Sequence, residues 1–482
     1  MVSRPTAKNL ELQRRSFVLQ DYGLLAFVAI VLGGIWTSPF QDLEVMIYAV
    51  VITTLASLPL WLWLRSESRV LPAFEILMLT GVQFYGYPLF SGHGAVATFS
   101  VDEIRPAAFA MIVYQVAAIL TYRITPAVAR APRILRQQLI DDSSSKFITL
   151  GLTTATVFTY LFRYTNFIPF EYGSILRSLF FGINTVSVFV AMRRWGSGHL
   201  PREQRVWVVV NLIIQCLLNL RSLYLIEALT LNATAAMAYV STSRRLPIGP
   251  IVAIAPLFFF LHAGKPAMRA MYWEGENAYE QNLTDLPRFF SQWVDQSLEA
   301  LQRKSETLNE GTTSLIDRAS LFQMLCIVTN ITPTFVPYLE GESYSSMVDQ
   351  LVPRILRPEK TSSVASNQLL ALKYNLVNEE SVQRVSIAFG EIAEAYANYS
   401  YYGCAFLGLF WGFLYKKAAT AAVDCPSFSG VGIIMILLSA WALQAEMVMA
   451  LWIVSLLQAM SCVVGLPLLW YWFNQRSTSA AA

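Results

Sequence analysis

Apolar residues along this chain gather in long blocks rather than alternating with polar ones. Blocks with few charges recur near 22–40, 44–64, 71–91, 106–125, 146–164, 172–192, 205–220, 222–241, 246–264, 401–418, 429–446 and 448–473. A helix needs about 20 apolar residues to cross the hydrocarbon core. The pattern therefore predicts an all-α polytopic membrane protein with about twelve transmembrane helices, the seventh short and joined tightly to the eighth. Between 265 and 400 the pattern changes to mixed polar and aromatic sequence, with Trp273, Phe289, Phe290, Trp293, Phe322 and Tyr338. In 292–306, Trp293, Leu298 and Leu301 fall near one helical face, and 379–396 repeats apolar residues at three and four. The prediction is a mostly helical exterior domain between spans nine and ten. The chain then divides into an N-terminal membrane part (1–264), an exterior helical part (265–400) and a C-terminal membrane part (401–482). No internal repeat is visible.

Composition agrees with the pattern. Of 482 residues, 55% are apolar and 14% charged, against about 45–50% and about 25% in soluble domains. That excludes a soluble enzyme, a disordered chain and a fibrous protein. The net charge of +3, from 35 basic and 32 acidic residues, gives no sign of a nucleic-acid partner. The placement of the charges is more informative. With the N-terminus in the cytoplasm, twenty of the 35 basic residues fall on the cytoplasmic side, four in short outer loops or outer span ends, and eleven in 265–400. The positive-inside rule predicts this asymmetry, with both termini cytoplasmic and 265–400 outside. The polar, basic first 21 residues lead into an apolar run without a small-residue cleavage site, which reads as a first span rather than a cleaved signal.

Five cysteines without a CxxC pair and three histidines argue for packing residues rather than a metal or disulfide framework. No GxxxxGK[ST], HExxH or EF-hand pattern occurs, and the Asp141–Asp142 pair lies on the cytoplasmic side. The expectation is chemistry without a metal or cofactor.

The candidate chemistry lies mainly late in the exterior part. Arg354, Arg357 and Lys360 stand beside Pro353 and Pro358 in GESYSSMVDQLVPRILRPEKT (341–361). Prolines stiffen such a turn, and Arg forks and Lys point charges suit phosphate or pyrophosphate. The alternative is a solvated turn paired with Glu340, Glu342 or Glu359. Glu391 and Glu394, one helical turn apart in FGEIAEAYANYSYYG (389–403), offer a general base towards a sugar hydroxyl or an ordinary exposed face. Arg177 and Arg221 sit at the outer ends of spans, where burial of Arg costs about 2.5–3.5 kcal/mol; they snorkel outwards or line a cavity for an anionic headgroup. His262, Lys265 and Arg269 cluster at the exit of the ninth span, as interfacial anchors or as part of the same site. Glu75, inside the third span, has no partner identifiable from sequence.

These strings carry a resemblance. A many-span chain with a large late exterior loop, a Pro-Arg…Pro-Glu-Lys string (Pro353, Arg354, Pro358, Glu359, Lys360), then Gly390, Glu391, Tyr396, Asn398 and Gly403, resembles the bacterial oligosaccharide repeat-unit polymerases, the O-antigen polymerase-like family. The chain departs from that pattern in carrying Arg357 where an aromatic is usual before the second proline, and in separating Asn398 from Gly403 by Tyr399–Tyr402. The resemblance implies a multi-pass protein of the bacterial cytoplasmic membrane with its site facing the periplasm. Its substrate would be an undecaprenyl-pyrophosphate-linked glycan. Partners beyond the bilayer would be a chain-length regulator and a flippase. It implies Glu391 as the base towards the acceptor hydroxyl, and Arg221, Arg354 and Lys360, with Arg177, Lys265, Arg269 and Arg357, as the pyrophosphate-binding set. A glycan ligase of similar build, a lipid-linked-sugar transporter and a non-catalytic scaffold remain open alternatives.

Overall fold

The computed structural model of the protein describes residues 23–469 apart from 24, 26, 30, 37–41, 67–69, 92–94, 128–130, 140–144, 166, 224, 275–284, 307–319, 353–356, 358, 360–361, 363, 380–381, 383–386 and 427. Among the described residues the secondary structure is helical, with an isolated antiparallel bridge between Gln138 and Ser429. Five helices are long and apolar enough to cross a membrane: Leu43–Arg65, Val101–Ile124, Ile175–Gly196, Ile248–Tyr272 and Met449–Leu469. The chain is an all-α membrane protein. It forms two compact units, Met1–Asp142 with Arg318–Ala482, and Ser143–Asp317. The stretch 265–400 is thus shared: Leu286–Glu306 belongs to the second unit, and Leu321–Ile331 with everything after it to the first.

In the first unit, the helix Leu43–Arg65 starts where Asp42 accepts from the Glu44 N–H at 2.7 Å and ends where Arg65 lies 3.7 Å over the Trp61 ring. Val101–Ile124 starts at a capping box, with Glu103 reaching back to the Ser100 N–H at 2.8 Å. Residues 401–421 run alongside it. Gly408 and Gly412 make that approach possible, because a Cβ on either would stand 2.4 Å from the Tyr114 or Ala118 carbonyl oxygen. This is the small-xxx-small contact of membrane helices, where backbones meet without side chains between them. Charges separate to the two ends of this unit. Arg105 is gripped by Glu44 at 2.6 Å and Asp102 at 2.9 Å at one end; Arg123, Lys416 and Lys417 lie at the other, Lys417 donating to the Pro126 carbonyl at 3.2 Å.

Two helices depart from the apolar pattern. Gly390–Ala421 breaks at Tyr399 (φ −143°, ψ 27°) and Ser400 (φ 56°, ψ −149°). The chain reverses there, and 390–398 folds back along 401–421, as the contact of Ile392 with Cys404 and that of Glu391 with Trp411 require. The helix expected over 379–396 begins only at Gly390, whose φ of +72° is left-handed and cannot extend a right-handed helix upstream. The block 429–446 is helical only over Gly430–Trp441, twelve residues. The polar Gln444 and Glu446 interrupt it, and a turn carries the chain to Met449, with the Gln444 N–H donating to the Trp441 carbonyl at 2.9 Å.

The second unit packs Ser145–Tyr164, Phe170–Gly196, Arg202–Arg221, Leu225–Ser243, Ile248–Arg269 and Leu286–Glu306. A polar ladder ties three of these helices: Asn184 donates to Gln215 at 2.8 Å, Gln215 to Thr156 at 2.9 Å, and Thr156 to Asn211 at 3.1 Å. Leu286–Glu306 anchors through Trp293, fully buried, whose indole N–H donates to the Leu261 carbonyl at 2.8 Å. Leu220, Leu223, Leu261, Met268 and Phe289 complete that core.

Candidate functional site

In the first unit the folded-back helix brings two carboxylates into the protein. Glu394 is fully buried, and one of its oxygens accepts the Met449 backbone N–H at 2.7 Å. Glu391 is partly buried; its Oε2 accepts from the Trp411 indole N–H at 2.6 Å. Each retains a second oxygen, Oε1, that accepts no hydrogen bond among the described residues. Buried carboxylate oxygens without donors are costly; the Ser343 hydroxyl stands within reach of Glu394, whereas Glu391 Oε1 has no such neighbour among the described residues. Tyr85, Tyr114 and Tyr415, all buried, stand within electrostatic reach of Glu391.

Three backbone turns converge on this pair. Gly390 opens the helix so closely against the Ala445 carbonyl that a Cβ would stand 3.1 Å away. The 442–448 turn delivers the Met449 N–H. The 339–344 turn is stapled by Asn398, fully buried: its Oδ1 accepts the Gly341 N–H, and its amide donates to Ser343 Oγ and to the Glu394 carbonyl, each at 2.8 Å. The Leu339 N–H adds a bond to the Ala397 carbonyl at 3.0 Å. This staple carries Tyr344 towards the carboxylates. Burial pushes the Tyr344 hydroxyl above its ordinary value, and Glu394 and Glu391 push it the same way.

The second unit holds a cluster of opposite sign. Arg221, the last residue of Arg202–Arg221, is 3% exposed. Its guanidinium lies 4.0 Å over the Phe289 ring and 4.9 Å over that of Tyr272. Its Nε makes no hydrogen bond, and no carboxylate pairs with it among the described residues. Nearby, Glu227 is shared by two arginines, Arg163 in close contact and Arg177 at 3.3 Å.

The candidate residues named from sequence fall in both units. The first holds Glu391 and Arg357; the second holds Arg221, Arg177, Lys265 and Arg269. Arg357 is exposed and paired with Asp349 at 2.5 Å, a partner the sequence reading did not name. Arg354 and Lys360 lie outside the described residues. Arg177 is largely exposed. Arg269 and Lys265 are half-buried on Ile248–Arg269, and Arg269 donates to the Leu223 carbonyl at 3.2 Å. Glu75 is buried beside Tyr122, with Arg123 and Lys416 as its nearest cations. The reading from sequence missed Trp411 and Tyr344 at the carboxylates and Phe289 and Tyr272 at Arg221. Among the described residues no three His, Cys, Asp or Glu side chains group as metal ligands. No family model, curated protein or solved structure matches the chain.

Proposed function

We propose that the protein is a membrane glycosyltransferase that polymerises lipid-pyrophosphate-linked oligosaccharide repeat units into surface polysaccharide. On this reading it crosses the bacterial cytoplasmic membrane twelve times, with both termini in the cytoplasm and Glu391 opening to the periplasmic side. The observation that carries it is Glu391 itself. One carboxylate oxygen is fixed by Trp411 and the other accepts no hydrogen bond among the described residues, on a helix whose sequence supplies part of the resemblance to the repeat-unit polymerases. A base so held can take the proton of an acceptor hydroxyl as that oxygen attacks the anomeric carbon of the donor glycan. The bond from that carbon to the lipid pyrophosphate breaks, and the leaving group gains negative charge. The resemblance, rather than any approach of the two units, assigns Arg221, buried on aromatic faces, to that charge.

A second reading has its own support. Helices broken at 399–400 and after Trp441, around buried carboxylates, are also the architecture of a transporter whose site lies where helices are interrupted. A lipid-linked-sugar flippase would use the same features to move substrate rather than to react it. A ligase that transfers a finished glycan shares the donor chemistry.

Glycan length separates these readings. The gene is deleted and restored as wild type, Glu391→Gln or Arg221→Met at matched membrane abundance, and extracted surface glycan is resolved on a gel. The polymerase reading expects single repeat units after deletion, long chains with wild type, and single units with either variant. Loss of all surface glycan on deletion, with lipid-linked units retained inside, favours the flippase. Long lipid-linked chains that never reach their final acceptor favour the ligase. Long chains with both variants remove the proposed roles of Glu391 and Arg221.

A further inference from the structure

At the end of the first unit that carries Arg123, Lys416 and Lys417, a recess is lined by Arg133, Arg136, Gln137 and Pro426. Arg133–Arg136 is one turn of 3-10 helix, begun by the Pro132 carbonyl, which accepts from the Leu135 N–H at 3.0 Å and the Arg136 N–H at 3.3 Å. Side chains three apart eclipse in such a turn, so both arginines project on one side and reach the same recess. The turn is braced. The Leu139 N–H donates to the Phe428 carbonyl at 2.9 Å, Gln138 pairs with Ser429, and a Cβ on Gly430 would stand 3.1 Å from the Leu135 carbonyl oxygen.

Other arginines of this unit are engaged: Arg105 with Glu44 and Asp102, Arg357 with Asp349, Arg65 with the Trp61 ring. Arg133 and Arg136 make no ion pair or ring contact among the described residues. The first turn of Gly430–Trp441 is capped by its own Ser429, which accepts the Gly432 N–H at 3.2 Å. The recess therefore relies on guanidinium donors rather than helix amides. The positive-inside rule accounts for basic residues at this end. It does not account for two eclipsed arginines on a braced turn, converging on one recess without an ion-pair partner among the described residues.

We propose that this recess binds the phosphate of an anionic phospholipid. Two guanidinium forks match a phosphodiester, and basic pockets between membrane helices are where such headgroups bind. Pro426 in the lining, and Ile134 on the adjoining side of the turn and 41% exposed, offer apolar surface that acyl chains satisfy and a free phosphate ion does not. The leaflet is cytoplasmic on the twelve-span topology; the site itself does not depend on the glycan reading.

The test titrates tail-labelled phosphatidylglycerol into the full chain in neutral detergent, with phosphatidylcholine and inorganic phosphate as separate probes. Saturable phosphatidylglycerol binding is expected, weakened about tenfold or more by Arg133→Gln/Arg136→Gln. Arg123→Gln/Lys146→Gln, which removes the same charge elsewhere, should leave binding within about twofold. Unchanged thermal unfolding without lipid checks that the variants fold, and Arg133→Gln alone repeats the comparison if the double variant does not. Displacement of the lipid by millimolar inorganic phosphate would support phosphate recognition and assign its source to solution. Equal binding of phosphatidylcholine, or equal weakening by the two double variants, would overturn the proposal.

Discussion

The two buried charge clusters are built in opposite ways. In the first unit, Glu394 and Glu391 are held by directional donors, the Met449 N–H and the Trp411 indole. Those donors come from segments that meet only because the chain reverses at Ser400 and turns at 442–448. In the second unit, Arg221 is held by the faces of Phe289 and Tyr272, which bind a cation without taking any of its hydrogen-bonding capacity. A hydrogen bond fixes an atom and joins two segments; a ring face holds a charge and leaves its donors free. The carboxylate cluster therefore combines the fastening of the fold with the candidate chemistry. The Arg221 cluster separates them. Substitutions should unfold the first and silence the second.

The largest expected loss of stability comes from Glu394→Ala. It removes the acceptor of the Met449 N–H inside a fully buried site and leaves a void, for a loss of about 3 kcal/mol. Glu394→Gln keeps an acceptor oxygen and the shape, and should lose less than half of that. Thermal unfolding of the purified chain in detergent measures both. Equal losses would mean that charge, not the bond to Met449, is what Glu394 contributes. Next is Asn398→Ala, which frees the Gly341 N–H and Ser343 Oγ from the helix. The expected loss is about 2 kcal/mol, with faster proteolysis around 341–345 than in wild type. An unchanged cleavage rate would show that the turn is held without Asn398.

The all-α membrane character was legible from the spacing of apolar residues, because lipid demands long uninterrupted blocks, and five of the helices among the described residues meet that demand. What escaped was where blocks break. The reversal falls at Tyr399–Ser400, where Ser400 takes a left-handed φ that few non-glycine residues adopt; the glycine that permits the close return, Gly403, whose Cβ would stand 2.1 Å from the Ala395 carbonyl oxygen, lies three residues later. Gly430–Trp441 stops early, before Gln444 and Glu446, two polar residues that the apolar residues around them conceal in the averaged pattern. Glu391 was legible because it stands in a recognisable string. Its partner Trp411 was not, since a tryptophan inside an apolar block reads as lipid-facing. The same limit applies to Arg221: its position at a span end was plain, but Phe289 and Tyr272 join it only through the packing of Leu286–Glu306 on Ile248–Arg269. Glu394, equal to Glu391 in sequence, is distinguished only by being fully buried.

A smaller effect sharpens the comparison within the second unit. Glu227 serves Arg163, about a fifth exposed, and Arg177, whose side chain is 62% exposed. A double-mutant cycle on unfolding should give a coupling of about 1–2 kcal/mol for Arg163 with Glu227 and below about 0.5 kcal/mol for Arg177 with Glu227, because solvent screens the second pair. Equal couplings would mean that the two arginines grip Glu227 as one unit.

The smallest expected change in stability is the most informative. Arg221→Met replaces a buried cation that lacks a carboxylate by an apolar chain of similar length, in a core of Leu220, Leu223, Leu261, Met268 and Phe289. Removing a charge that no carboxylate among the described residues contacts, Asp285 acting only at a distance, relieves desolvation, and thioether–ring contacts replace the cation over the rings. The unfolding temperature should stay level or rise, while long glycan chains disappear. A structural arginine would give the reverse: lost stability with activity in proportion to the protein that remains folded. Arg221→Lys discriminates further. It keeps the charge and loses the fork and the planar face, so on the proposed role it should fold like wild type and restore only short chains. Full restoration by Lys would reduce the role of Arg221 to that of a point charge.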